Sequence, residues 1–223
     1  DGTLLDSMPM WRDITYVYAE SKGITAPEGL HNTLNRLSLE QCAQYYQQLG
    51  IPDSVSQIVA ELGEFALEGY RTKVPEKPGA GEFLKLLWEN RIPIAVAPAS
   101  NEGGGRLALE RLGMLSRVSF LTTCTQAGKS KEHPDIFLRC AEEFGASPKE
   151  SVVFEDSAYS IRTARNAGFP VVAVEDAISL QGKGESETPQ GLAQLANLVI
   201  PDYHQLIAQL TPAEDLGLGN LLG

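Results

Sequence analysis

The sequence predicts an α/β fold: a doubly wound, mostly parallel sheet with helices on both faces and an inserted all-α lobe. Three observations predict it. Short apolar runs rich in β-branched residues, IPIAVA (92–97), SVVF (151–154) and PVVAV (170–174), nearly lack alternation. Strands buried on both faces of a parallel sheet read this way. Helical patterns over 80–90, 103–113, 134–145 and 157–167 lie between and beside these runs, and strand–helix–strand order implies right-handed βαβ units. Ahead of them, from Ser7 to Tyr70, the texture is helical with few strand signals.

In the helical stretch, Ile14, Tyr18 and Ala19 recur at spacings of three and four, which predicts a buried helix face. Gly23 and Gly50 punctuate the segment, and Pro27 and Pro52 stand where new helices can start. About four short helices are expected there. The resulting division is residues 1–7 and 73–210 as the α/β core, 8–72 as a helical cap, and 211–223 as a frayed tail. A further strand is expected near 118–121, and QGKGESETPQ (181–190) reads as a polar loop.

The 223 residues suffice for a sizeable core without metal or disulfide staples. Lys and Arg number 18 against 29 Asp and Glu, a net charge of −11. That excludes a general binder of nucleic acid or anionic membrane, both of which need basic surface. Any phosphorylated substrate must therefore be met by local positive charge. No run is long enough to span a bilayer. Cys42, Cys124 and Cys140 are widely spaced without a CxxC pair, so reduced thiols in a cytoplasmic protein are expected. The opening DGTLLDSMPM lacks a basic n-region and a long apolar h-region, so no signal peptide is expected.

In doubly wound sheets chemistry gathers beyond the carboxyl ends of the strands. Glu155-Asp156-Ser157 follows VVF. A helix cap needs only one such residue, and two adjacent carboxylates repel unless a cation lies between them. Hard oxygen donors in small number suit Mg²⁺. After IPIAVA come Pro98-Ala99-Ser100-Asn101 and a glycine run opening a helix, where backbone N–H groups favour anions. Lys131, in SKEHPDIF, lies at another strand-to-helix crossover and is placed to neutralise phosphate oxygens and the carboxylates. Gly128-Lys129-Ser130 fails as a P-loop, because Thr123 stands where the first Gly is needed. His31, His133 and His204 are too scattered for a nucleophile–base pair. Tyr45, Tyr46 and Tyr70 read as core or lobe-surface residues rather than a stacking platform.

Together these segments resemble the haloacid dehalogenase (HAD) superfamily in its helical-cap, sugar-phosphatase and β-phosphoglucomutase-like branch. Asp1-Gly2-Thr3-Leu4-Leu5-Asp6-Ser7 resembles the second half of the first motif, DxDGTLLDS. Lys131 with Pro134-Asp135-Ile136-Phe137 resembles the third, and Val153-Phe154-Glu155-Asp156-Ser157 the fourth. VPEKPGAGEFLKLL (74–87) and SIRTARNAGFPVVAV (160–174) read like further segments of the family. The resemblance implies a Rossmann-like core and Mg²⁺-dependent phosphoryl transfer through an aspartyl-phosphate, acting on a small phosphorylated metabolite. It implies Asp1 as acid/base, with its carbonyl on the metal beside Asp156 and Glu155. It also implies Lys131 on the phosphate, and the N–H groups of Ala99 and Ser100 near it. No nucleic-acid or membrane partner is expected, and the protein is expected to be a monomer or weak dimer.

Two departures stand out. The family's nucleophile lies two positions before Asp1, on the first core strand, so the sequence is expected to be a fragment without aspartyl-phosphate chemistry as written. Pro98 occupies the place of the second motif's Thr or Ser. Proline has neither hydroxyl nor N–H, so a bond worth about 1.5–3 kcal/mol is forgone, which is one to two decades of rate if it forms only in the transition state; the N–H groups of Ala99 and Ser100, or the Ser100 hydroxyl, can compensate. The mutase branch has a His ten positions after the acid/base Asp and an Arg in its cap loop; Trp11 and Leu39 stand there. A phosphatase of sugar phosphates is therefore preferred to a mutase, with a catalytically impaired binding or regulatory protein third. A dehalogenase, which works without Mg²⁺, fits the carboxylate pair poorly. Trp11, His31, Asn35 and Arg36 are the candidate cap contacts to substrate, although hinge packing explains Trp11 equally well.

Overall fold

Glycines and capping boxes cut the start of the chain into helices. The computed structural model describes residues 1–34, 37–99, 102–178 and 188–210. These divide into two compact units, one of Ser7–Val74 and one of Asp1–Asp6 with everything from Pro75 onward.

In the helical unit, α1 (Met8–Ser21) begins with proline in its first turn, where the missing N–H costs nothing. It ends at Gly23, whose φ of 74° allows the chain to fold back so that the Ile24 amide reaches the Ala19 carbonyl at 3.0 Å. Then come α2 (Leu30–Leu34), α3 (Leu39–Gln48) and α4 (Val55–Thr72). Both α3 and α4 open with a full capping box, Ser38 with Gln41 and Ser54 with Gln57. The starts thus sit at Ser-x-x-Gln, two residues past Pro52 in the case of α4. Tyr18 and Tyr46 meet edge-on at 5.0 Å in the core, and the Tyr46 hydroxyl donates to the Thr15 carbonyl at 2.8 Å. Tyr46 and Tyr70 are core residues, while Tyr45 is only half-buried.

The α/β unit runs α5 (Ala80–Glu89), β1 (Ala95–Val96), α6 (Glu102–Arg111), β2 (Phe120–Leu121), α7 (Cys124–Ala127), α8 (Asp135–Glu143), β3 (Val153–Glu155), α9 (Ala158–Asn166), β4 (Val171–Val174), α10 (Pro189–Leu195), β5 (Leu198–Ile200) and α11 (Tyr203–Leu210). All strand pairings are parallel: β1 with β2, and β3–β4–β5 in that order. Every residue of β4 is buried, as its unbroken apolar run requires for a central strand. Ile136, Phe137, Ile161, Phe169 and Leu192 pack around it from the helices and connections. Ladders are shorter than the apolar runs: only Ala95 and Val96 of IPIAVA pair regularly. The Ile94 carbonyl also accepts from the Ser119 and Phe120 amides, at 2.8 and 3.2 Å. The polar-loop reading of 181–190 is corrected at its end, because Thr188 caps α10 with its hydroxyl on the Gly191 amide and Pro189 opens the helix. Residues 181–187 and 211–223 lie outside the described residues. Among the described residues no helix is long and apolar enough to cross a membrane.

Asp1–Asp6 is held against the segment that begins the second part of this unit. Leu5 bridges Glu76 in antiparallel fashion, the Asp6 amide donates to the Pro75 carbonyl and the Lys77 amide to the Leu4 carbonyl, both at 2.9 Å. The Lys77 side chain is buried and binds Asp176, itself buried, at 2.6 Å, with Asp6 at 3.5 Å. One ammonium thus joins the first segment to the turn leaving β4. Breaking such a buried pair leaves an uncompensated charge. Lys77→Met is expected to lower unfolding stability by about 3–5 kcal/mol, and the double variant Lys77→Met/Asp176→Leu by clearly less. Denaturant unfolding of the three proteins measures it, and equal losses in the single and double variants would count against a charge effect.

Candidate active site

The end of β3 fixes the site. Glu155 and Asp156 are only 4% and 7% exposed, while the strand residues before them, Val153 and Phe154, are half-buried. Phe154, just before them, stacks with Tyr203 at 6.0 Å, and Tyr203 stacks with Phe83 at 5.2 Å. This aromatic layer holds the strand from below. The Tyr203 hydroxyl is buried without a hydrogen-bond partner among the described residues; burial, and then the two carboxylates, push its pKa up.

Two groups answer the carboxylates. Lys131 forms an ion pair with Glu155. Burial pulls the ammonium's pKa down, but Glu155 and Asp156 overcome this and raise it, so Lys131 is charged at neutral pH. Its ammonium also lies 5.9 Å from the centre of the Phe137 ring. Thr3 donates its hydroxyl to Asp156 Oδ1 at 2.8 Å. Gly2, with φ of 66°, brings the backbone so close that a Cβ there would fall within the Asp156 carboxylate. Only glycine fits, by conformation and by space. Burial, followed by the neighbouring Glu155, raises the Asp156 carboxyl to about 6, against the Thr3 hydrogen bond and Lys131.

A cavity of about 370 Å³ opens beside Lys131. Its walls are Ala99 beyond β1, Cys124 and Thr125 at the start of α7, the turn 128–131, and Tyr159 in the first turn of α9. Thr123 caps α7 in a box with Gln126, and Gly128 ends it with φ of 78°. That one-turn helix and its left-handed stop carry the chain round to Lys131. The strand before α7 is fastened to β1 through the Thr122 amide on the Val96 carbonyl at 3.1 Å.

A family model of haloacid dehalogenase-like hydrolases matches residues 1–174. The chain belongs to this family. A phosphorylated carbohydrates phosphatase of Thermotoga maritima is 29% identical over 173 residues, 76% of this chain and 79% of that protein. The fructose-1-phosphate phosphatase of Escherichia coli is 28% identical over 178 residues, 78% of this chain and 92% of that protein. The crystal structure of a HAD hydrolase, family IA, variant 3, from Entamoeba histolytica superimposes with a TM-score of 0.73 at 21% identity, covering 100% of this chain and 96% of that one.

Of the residues singled out in the sequence of this HAD chain, the structure brings Lys131, Glu155 and Asp156 into one cluster and lines the adjoining cavity with Ala99 and Lys131. Asp1 precedes the glycine that abuts Asp156. Trp11 donates its indole N–H to the Tyr70 hydroxyl at 3.1 Å within the helical unit, and Leu39 opens α3 there. Asn35, Arg36 and Ser100 lie outside the described residues. The structure adds Thr3, Thr125 and Tyr159 to the site. Thr3 is readable as the hydroxyl two places after Asp1, and Tyr159 as a first-turn residue three places after Asp156. Lys129, set aside with the failed P-loop, lines the cavity and pairs with Asp135 at 3.0 Å.

Whether the residues suit a divalent cation is decided by the donors. Among the described residues no cluster of three or more His, Cys, Asp or Glu side chains forms. Two adjacent hard carboxylates do, one of them with its proton affinity raised by burial. That set fits Mg²⁺, which retains waters and takes few protein ligands, and does not fit zinc. Without a cation, Asp156 opposes folding once ionised. Its folded pKa of about 6 exceeds the ordinary 3.8, so its contribution is most favourable below the lower value and is lost as pH rises through the higher. In EDTA, Asp156→Asn is expected to melt higher than the parent near pH 7.5, with the difference shrinking toward pH 4. Thermal melts across that range read it, and a difference independent of pH would refute it.

Proposed function

We propose that this protein hydrolyses small phosphate monoesters, sugar phosphates among them, with Mg²⁺ and through an aspartyl-phosphate. One observation carries the reading: two buried carboxylates at the carboxyl end of a parallel strand, paired with a half-buried lysine that lines a cavity of small-molecule size. The phosphatases among its relatives support the same substrate class. Its three free thiols agree with a reducing, cytoplasmic setting.

The residues divide the work. Lys131 has three donors and gives at least one to Glu155, so its remaining N–H groups are available to phosphate oxygens at the cavity wall. Charge on those oxygens is best met by such a fixed cation in a site with little water. Asp156 and Glu155, with the Asp1 carbonyl, would hold Mg²⁺, which when bound screens carboxylate–phosphate repulsion. Asp1 acts as acid and then base: its carboxyl protonates the departing alkoxide and afterwards takes a proton from water. The Thr3 bond and the Gly2 contact fix the orientation of Asp156 and the path of the backbone beside it. The attacking carboxylate belongs two positions before Asp1.

A second reading, a phosphate-binding protein without turnover, rests on Pro98, which removes a donor from the cavity's β1 side. The two are separated with the chain preceded by the first motif's strand and aspartate. It is assayed with Mg²⁺ on para-nitrophenyl phosphate and a panel of sugar phosphates. Release of free phosphate is expected, and Lys131→Met is expected to lower kcat/KM by about 10²-fold or more. Pro98→Thr is expected to raise it by about one to two decades. Turnover only in the Pro98→Thr variant would favour the binding protein, and isomerised sugar phosphate in place of free phosphate would reveal a mutase.

A further inference from the structure

The cavity beside Lys131 has an uneven distribution of donors. On the β1 side, Pro98 lacks an N–H and its carbonyl is taken by the Cys124 amide at 3.4 Å, and among the described residues neither Pro98 nor Ala99 has a polar side chain, which leaves the Ala99 N–H. Opposite, in the first turn of α9, stands Tyr159. It is 44% exposed, lines the cavity, and among the described residues its hydroxyl has no hydrogen-bond partner. The helix places it there: Thr163 anchors the turn by donating its hydroxyl to the Tyr159 carbonyl at 3.0 Å. The phenol also feels the charges of the site. Burial, and then Glu155, raise its pKa, with Lys131 acting against them, so it remains a protonated O–H donor at neutral pH. Tyr159 and Lys131 thus line the same cavity, and the phenol O–H is open to an acceptor placed between them.

We propose that Tyr159 is a substrate-contacting residue whose hydroxyl donates a hydrogen bond to a phosphate oxygen held by Lys131, making good the donor that Pro98 does not supply. This rests on the phosphatase reading above and adds to it a binding residue on α9. Phenol to phosphate oxygen is a charge-assisted bond, short and stronger than a neutral one. The ring itself forms the wall that keeps water from that side of the anion.

Binding of inorganic phosphate, measured calorimetrically in Mg²⁺ on the whole protein, tests it. Tyr159→Phe keeps the ring and removes only the hydroxyl. It is expected to weaken phosphate binding by about tenfold with the melting temperature unchanged. Pro98→Thr in the Tyr159→Phe background is expected to restore most of that loss, while in the parent it gains less, so the two changes are non-additive. Phosphate binding by Tyr159→Phe equal to the parent overturns the proposal. A loss confined to Tyr159→Ala also overturns it, since that would assign packing and not hydrogen bonding. A parent that binds no phosphate at all sinks the phosphatase reading, and this proposal with it.

Discussion

Two adjacent carboxylates at the end of a buried strand must be kept apart from water without being left unanswered. Glu155 and Asp156 are both nearly inaccessible, and isolated ionised carboxylates in such surroundings would be prohibitively costly. The chain resolves this with one ammonium and one hydroxyl that arrive from distant segments, Lys131 from 24 residues before Glu155 and Thr3 from 153 residues before Asp156. Much of the local architecture follows from bringing those two groups to that point. The strand cannot move outward into solvent, because Phe154 is gripped by Phe83 and Tyr203. The partners must therefore come to it.

Each partner has its own support. Lys131 is reached by a one-turn helix closed at both ends, Thr123 boxing its start and Gly128 stopping it in the left-handed conformation. It is then continued by α8, whose Phe137 lies beneath the ammonium and whose core face carries Ile136 and Ala141. Thr3 is reached through Gly2, and the segment is pinned further along by Leu5 on Glu76 and by Lys77. Lys77 then repeats the same logic on a smaller scale: a buried lysine answers buried Asp176 at the exit of β4. Two charge pairs thus brace the carboxyl ends of neighbouring strands in a chain whose net charge is −11. A strongly acidic protein thus keeps these two cations beside buried carboxylates.

The parts legible in the sequence are those governed by local pattern. Helices expected at 80–90, 103–113, 134–145 and 157–167 appear within two residues at either end, because apolar period and helix stops are encoded nearby. The strand expected near 118–121 forms at Phe120–Leu121. What escaped was set by tertiary pairing. Leu198–Ile200 is only three residues long and becomes a strand by lying against Val172–Val174. Cys124–Ala127 is too short to show a period and is declared only by Thr123 and Gln126. In the site, Glu155, Asp156 and Lys131 were visible because charged residues at strand ends violate the expectation for a buried sheet. Thr3 and Tyr159 were not, since a threonine in a turn and a tyrosine on a helix violate nothing until the fold shows what they face.

Pro98 connects these threads. At the end of a strand a proline costs little to folding: its carbonyl still accepts from the Cys124 amide, and an edge position tolerates the missing donor. The cost falls on the cavity, whose β1 wall among the described residues is Ala99. An anion in that cavity must satisfy its oxygens from the remaining walls, and the fold supplies donors only where segments end. Lys131 and Ser130 follow the stop at Gly128, Thr125 lies at the start of α7, and Tyr159 at the start of α9. The strands on that side, Ala95–Val96 and Phe120–Leu121, carry no side-chain donor of their own. On the proposed reading, Tyr159 in the first turn of α9 supplies the donor that proline at residue 98 does not.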